Sequence, residues 1–435
     1  MNKHILIISY YFYPMNTVAA IRLSKIAKFF AKKGWKVTVL TTSNFKLFGI
    51  DPTYDNTIYK KINIVRSFEI NVSNLGKYYK KAKKNFNSKD KSTNISDFKN
   101  DTFKKKIYKY LGPGKFIWYI SASFKLRYLL SSYDFDLIYS SYGPISSHKL
   151  ALSAKKRSNS IWFADFRDHY VENRFEGDTN KRKKVEAEIV KKADKIITVS
   201  NGIKNNMVSR YTNFKTKFEL VTNGYDSKDK RFYQEKNEGN NKFIISYVGS
   251  LYNNQRSPEI LFKAISKLIS QDLIDKNKFE IKYAGNEGFI FERLAKKHNL
   301  GEVISNFGLV NRKKALEIQS NSNLLLIITW NNGQNKGVIT GKIYEYMLAE
   351  RPVLLIVRGK GTGHELRKMI SELNIGYSVK ESSNGSEKKL RDYILDSYNK
   401  FLDDKSIFNP NRKKIEKYDY NNLTDDIINL YESVK

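Results

Sequence analysis

The stretch HILIISYYFYPMNTVAAIRLSKIAKFFAKKGWKVTVLT, residues 4–41, reads as strand, helix, strand. HILIIS (4–9) and KVTVLT (36–41) are apolar, β-branched runs of strand length. Between them Ile21, Ile26, Phe29 and Phe30 recur at helical spacing, and Gly34 ends the run. Two apolar strands joined by a helix make a βαβ unit and predict a parallel sheet. The loop after the first strand, YYFYPMNTV, carries no G-x-G-x-x-G, which argues against a dinucleotide site there.

The alternation continues outward. LIYSS (137–141), SIWFADF (160–166) and KIITVS (195–200) extend the first sheet, and LVTNGYD (220–226) closes that half. After a polar linker come IISYVGS (244–250), EIKYAG (280–285), VISNFG (303–308), NLLLII (323–328) and PVLLIV (352–357), with helical segments between them. The pattern predicts an α/β chain of two Rossmann-like, doubly wound parallel-sheet domains facing each other across a cleft, with ligands beyond the carboxyl ends of the strands. The expected boundaries are residues 1–226 for the first domain, with a basic insertion at about 72–115, 227–242 for the linker and 243–410 for the second domain. An amphipathic helical segment, 411–435, is expected to pack back toward the first domain.

The chain has 435 residues, 40% hydrophobic and 14% aromatic, enough for two sizeable cores. The absence of cysteine excludes disulfides, thiolate zinc sites and thiol catalysis. No run approaches the length of a membrane helix, and the N-terminal apolar run is too short for a signal peptide, so a cytoplasmic, soluble or peripheral protein is expected. The net charge of +34 points to nucleic acid, an anionic membrane surface or phosphorylated substrates, unless it reflects only a Lys-, Asn- and Ile-rich composition. The lysine-dense, aromatic-interleaved insertion admits the same choice: a solvated excursion, a lipid-facing surface or a nucleic-acid surface. No nucleic-acid module signature accompanies it.

GVITGKIYEYMLAERPVLLI, residues 337–356, resembles a phosphate loop without being a Walker motif. Only three residues separate Gly337 from Gly341, and Ile343 supplies no hydroxyl after Lys342. The stretch still predicts a helix start, with Thr340 as N-cap, and the free N–H groups of a helix start favour an anion.

Together these blocks resemble the retaining, nucleotide-sugar-dependent glycosyltransferases of the GT-B fold, in particular the group with an E-x7-E signature found in bacterial surface-polysaccharide synthesis. The resemblance runs through the opening βαβ unit, SSYGPISSHKLALSAKK with WFADFRDHY, ADKIITVSNGIKNNM, VTNGYD, YVGSLYNNQRSPEILFKAI and KIYEYMLAERPVL. It implies a catalytic set of Arg256, Lys342 and Glu345. Glu345 matches the second signature glutamate, which accepts hydrogen bonds from the nucleotide ribose. Arg256 and Lys342 match the partners of the leaving diphosphate. The first glutamate is replaced by Gly337.

For the donor the resemblance implies Gly249 and Ser250 at the phosphates, the loop of Leu309 and Val310 at the base, and the backbone of Val338, Ile339 and Thr340 at the sugar or diphosphate. Leu309 and Val310 read equally well as strand-end packing. On the acceptor side stand His148, Asp165, Arg167 and Asp168; a salt-bridged structural network would also explain the ADFRD cluster, and a lone histidine is more often structural. Ser141 occupies the place where relatives carry a histidine.

The implied activity is transfer of a hexosyl unit from a nucleotide-sugar, UDP being the commoner nucleotide among relatives, to a glycan or lipid-linked acceptor of O-antigen, capsule or exopolysaccharide. The reaction is expected to be retaining and metal-independent, with no cofactor, since the nucleotide-sugar is a substrate. An anionic membrane surface is an expected partner, specific nucleic acid is not, and the expected location is the inner face of the bacterial inner membrane. Two other readings remain: a UDP-sugar 2-epimerase of the same fold, and a lapsed transferase that binds membrane or nucleic acid.

Overall fold

The structure, a computed structural model, describes residues 3–69, 115–172, 179–233, 241–331, 339–361 and 364–435. Nearly all of the basic insertion, together with Gly337 and Val338, lies outside the described residues. The chain forms two compact units, one of Met1–Val199, Lys204–Val221 and Asp426–Lys435, the other of Ser200–Ile203 and Thr222–Asp425.

The first unit is built on a seven-stranded parallel sheet. Its strands are β1 (His4–Ile8), β2 (Lys36–Thr42), β3 (Asn63–Ser67), β4 (Leu137–Ser141), β5 (Ile161–Phe166), β6 (Lys195–Thr198) and β7 (Phe218–Leu220), in the order β3-β2-β1-β4-β5-β6-β7. Ile5, Leu6, Ile7 and Ile8 are all fully buried, because helices cover both faces of the sheet. The helix Val18–Lys32 starts at Thr17, whose hydroxyl accepts from the Ala20 amide at 3.3 Å. The chain then reverses at Gly34 with φ +83°, a conformation that costs glycine least.

The second unit repeats the scheme with six parallel strands: β8 (Phe243–Val248), β9 (Phe279–Ala284), β10 (Ile304–Asn306), β11 (Leu324–Trp330), β12 (Val353–Arg358) and β13 (Gly376–Lys380). Their order is β10-β9-β8-β11-β12-β13, so the winding reverses between β8 and β11. Alternate residues of β11 feed two cores. Leu324, Leu326 and Ile328 pack with the helix Glu259–Ser270 on one side; Leu325 and Ile327 pack with the helix Lys342–Ala349 on the other.

The apolar runs read from the sequence fall on these strands, with differences at the margins. β3 and β13 were not evident because both are edge strands with half-buried side chains and no continuous apolar run. The segment 220–226 follows directly on the last strand of the first sheet, β7, which ends at Leu220.

Candidate active site

At the switch between β8 and β11 the second unit gathers most of the residues expected to hold a donor. β8 runs out at Gly249, which has φ +148° and donates its amide to Ala284 O at 2.7 Å. A Cβ on Gly249 would lie 1.8 Å from Lys342 Nζ, so the ammonium rests directly on that glycine. Lys342 is the first residue of the helix Lys342–Ala349, which follows β11. Its Nζ also lies 4.9 Å from the centroid of the Tyr247 ring. Burial, and then repulsion from Arg256, lowers the Lys342 pKa to about 7, against the opposing pull of Glu345.

Arg256 stands beside it. Its guanidinium lies 4.4 Å from the Tyr252 ring and 5.1 Å from the Trp330 ring, two rings that meet edge to face. Its Nε is buried without a hydrogen-bond partner. Neither Arg256 nor Lys342 forms a salt bridge among the described residues, so two cations share one place, with the Glu345 carboxylate close enough to act on Lys342 but not paired with it.

The loop carrying Arg256 is bent into an unusual shape. Tyr252, Asn253 and Asn254 are consecutive residues with φ of +51°, +51° and +68°, a conformation unfavourable for a bulky tyrosine. Glu287 holds it. One carboxylate oxygen accepts from Ser250 Oγ at 2.6 Å and from the amides of Leu251 and Tyr252 at 2.6 and 3.0 Å; the other accepts from the Asn253 amide at 2.7 Å. Burial alone would raise the Glu287 pKa, but these four donors outweigh it and lower the pKa. From the other side Arg358, at the end of β12, donates to Asn254 O and Gln255 O at 2.8 and 3.0 Å while its Nε pairs with Glu381 at 2.8 Å.

Glu345 lies one turn along the same helix face as Lys342. Its carboxylate sits 3.7 Å from Arg312 and accepts from Gln319 Nε2 at 3.3 Å, while Tyr233 donates to its backbone oxygen at 3.1 Å. It is partly exposed. Ile339 packs against the apolar core behind the helix. Thr340 is not the cap expected from sequence. Gly341 takes that position with helical angles and no side-chain cap bond, because the chain is already coiling there: Thr340 O accepts from the Ile343 amide at 3.3 Å.

Further along the strand ends, the Gly285 amide donates to Gly308 O at 2.8 Å, which ties the loop after β10 to β9. Leu309 projects from that loop 84% exposed, and Val310 is half-buried. Sequence reasoning missed Glu287, Tyr252, Trp330, Arg312 and Arg358. The signal available was position, since Trp330 and Arg358 end strands and Glu287 follows Gly285 closely. A separate cavity of about 260 Å³, lined by Asn323, Pro352 and Phe401 among others, opens at the opposite, amino-terminal edge of this sheet.

In the first unit the acceptor-side residues are also near one another, but most are spoken for. Asp165 is fully buried; it accepts from Arg22 Nη2 and Nε at 2.9 and 3.1 Å and from Ser141 Oγ at 2.9 Å. His148 is fully buried too, with Nδ1 2.8 Å from Ser140 Oγ and its ring against Phe166. Burial lowers its pKa to about 3, so it is neutral. Arg167 donates to the backbone oxygens of Tyr142 (2.7 Å), Gly143 (3.4 Å) and Ala19, bracing the ends of β4 and β5. Asp168 alone is exposed, accepting only a local bond from the His169 amide among its described hydrogen bonds.

Residues 19–229 match the model for Glycosyltransferase Family 4. No curated protein matches the chain. Among solved structures, the sucrose-phosphate synthase of Thermosynechococcus elongatus superposes with a TM-score of 0.62 at 15% identity, over 100% of this chain and 99% of that one. Anabaena HepE, solved with UDP and glucose, superposes at 0.57 with 12% identity over the full length of both chains. The fold is that of the GT-B glycosyltransferases. WaaG, a glycosyltransferase involved in lipopolysaccharide biosynthesis, belongs with them, at 0.55 and 12% identity over 98% of this chain and 99% of that one.

Proposed function

We propose that the protein is a GT-B glycosyltransferase that moves a sugar from a UDP-sugar to a glycan or lipid-linked acceptor of a bacterial surface polysaccharide, at the inner face of the membrane. The observation that carries the transferase reading is the pairing of Lys342 and Arg256, two cations without a salt bridge among the described residues, over Gly249 at the switch point of a doubly wound sheet. Co-locating like charges is unfavourable unless an anion completes the site, and a nucleoside diphosphate supplies the missing charge.

In this reading the bond from the anomeric carbon to the diphosphate breaks as a bond from that carbon to the acceptor oxygen forms on the same face. Negative charge develops on the leaving oxygen, where Arg256, Lys342 and the first amides of the helix meet it. The acceptor proton passes to the departing phosphate. Two cations take the part a metal ion plays elsewhere. Glu345 receives the ribose hydroxyls, for which a carboxylate offers only acceptor sites, and the base lies along the Leu309 loop. The UDP-bound HepE and the lipopolysaccharide role of WaaG motivate the choice of base and pathway.

A thermal-shift screen against UDP, GDP, CMP, ADP and their sugar conjugates tests this. The expected result is a rise with one nucleotide family that disappears in Arg256→Ala. A folded protein stabilised by none of them refutes the donor site.

A further inference from the structure

The helix Phe116–Ser132 is apolar on two opposite faces, and the described residues cover only one. Trp118, Ala122, Leu126 and Leu129 are buried against β2, β3 and the helix Ser146–Lys155. Phe116, Ile120, Phe124 and Tyr128, each one turn from the next, are 41%, 43%, 66% and 66% exposed. The stripe extends to Phe68, 61% exposed, because Ser121 on this helix hydrogen-bonds at the end of β3, to Ser67 Oγ at 2.8 Å. Scattered exposed apolar residues are ordinary; a continuous row about 18 Å long on one helix marks an interaction surface.

We propose that this stripe is the element that seats the protein on an anionic lipid surface. The charge selects the occupant. From Lys115 to Tyr133 the chain carries Lys115, Lys125 and Arg127 and no acidic residue. On the helix itself Lys125 and Arg127 are exposed among the aromatics. Aromatic side chains entering the headgroup boundary, with cations beside them for the phosphates, are the two signals that stable peripheral binding needs. A second copy of the chain would bring Lys125 and Arg127 against like charges on a protein of net charge +34. No described helix is long and apolar enough to cross a membrane, so a surface attachment of this kind is consistent with the fold.

The proposal deepens the membrane part of the function above and does not depend on the transferase part. The test is co-sedimentation of the full chain with vesicles of equal parts phosphatidylglycerol and phosphatidylcholine, and with pure phosphatidylcholine. Wild type is expected to bind the anionic vesicles, and Phe124→Ser/Tyr128→Ser to bind them about tenfold or more weakly. A control, Leu273→Ser/Leu402→Ser, removes exposed apolar side chains of the second unit and is expected to bind as wild type does. Phe124→Glu, placing a like charge toward the lipid, is expected to weaken binding as well. Equal binding by wild type and the Phe124/Tyr128 variant overturns the proposal, as does wild type that ignores anionic vesicles. A concentration-dependent dimer that the same variant dissolves overturns it in favour of a second copy. UDP binding measured on these samples reports separately on the transferase reading.

Discussion

At the residue scale, Lys342 gives the most direct prediction. In the free protein its pKa is about 7, well under the ordinary lysine value. Its folded pKa is therefore below its unfolded one, and this contribution to stability rises as pH rises from about 7 toward the unfolded value, being lost as pH falls back. A bound diphosphate favours the ammonium and raises that pKa. Between these limits UDP binding takes up a proton, and affinity falls by up to about tenfold per pH unit above neutrality. Calorimetry in buffers of different ionisation enthalpy measures the uptake directly, and Lys342→Met should remove both the uptake and the slope. Arg256→Ala should lower turnover by about 10²–10³-fold with the fold intact, the loss typical of removing one donor to a developing oxyanion. Steady-state kinetics with a UDP-sugar, beside a melting curve, checks both halves of that statement.

Elements decide which of these residues were legible. Gly249 ends an apolar strand run and Lys342 and Glu345 open the helical segment between two such runs, so their places follow once the strand-helix alternation is recognised. Glu287 was not legible in that way. Its task is defined by three left-handed residues of a loop thirty-odd positions earlier, and such a contact leaves no periodic trace. Glu287→Gln replaces an acceptor-only group by one whose amide opposes the loop N–H groups. The loop should lose its shape, and UDP affinity should fall while unit-wide stability changes little; isothermal titration and thermal melting separate the two.

The acceptor-side cluster presents the reverse case, because the pattern ADFRD was visible while the burial of its first aspartate was not. Asp165 joins β5 to the helix Val18–Lys32 through a bidentate pair with Arg22, which is itself 2% exposed. Asp165→Ala would strand that guanidinium in the core. The expected cost is about 3–5 kcal/mol in chemical denaturation, before any effect on catalysis can be read.

For the whole molecule, the net charge of +34 and the half-buried pair of cations make different demands on salt. Ions screen solvent-exposed charges from one another beyond a Debye length of about 10 Å at 0.1 M. Attachment to any polyanion, whether heparin, nucleic acid or anionic vesicles, should therefore weaken steeply as salt rises, without regard to sequence or headgroup identity. Lys342 and Arg256 lie instead against Gly249, Tyr252 and Trp330, in surroundings that lower the lysine pKa chiefly by burial. Charges so placed are screened much less. Raising salt from low to high concentration should release the chain from heparin while UDP affinity changes by a much smaller factor. If UDP affinity instead fell in step with heparin binding, the nucleotide would be sensing only the general field of the protein, and the two cations would not form its site.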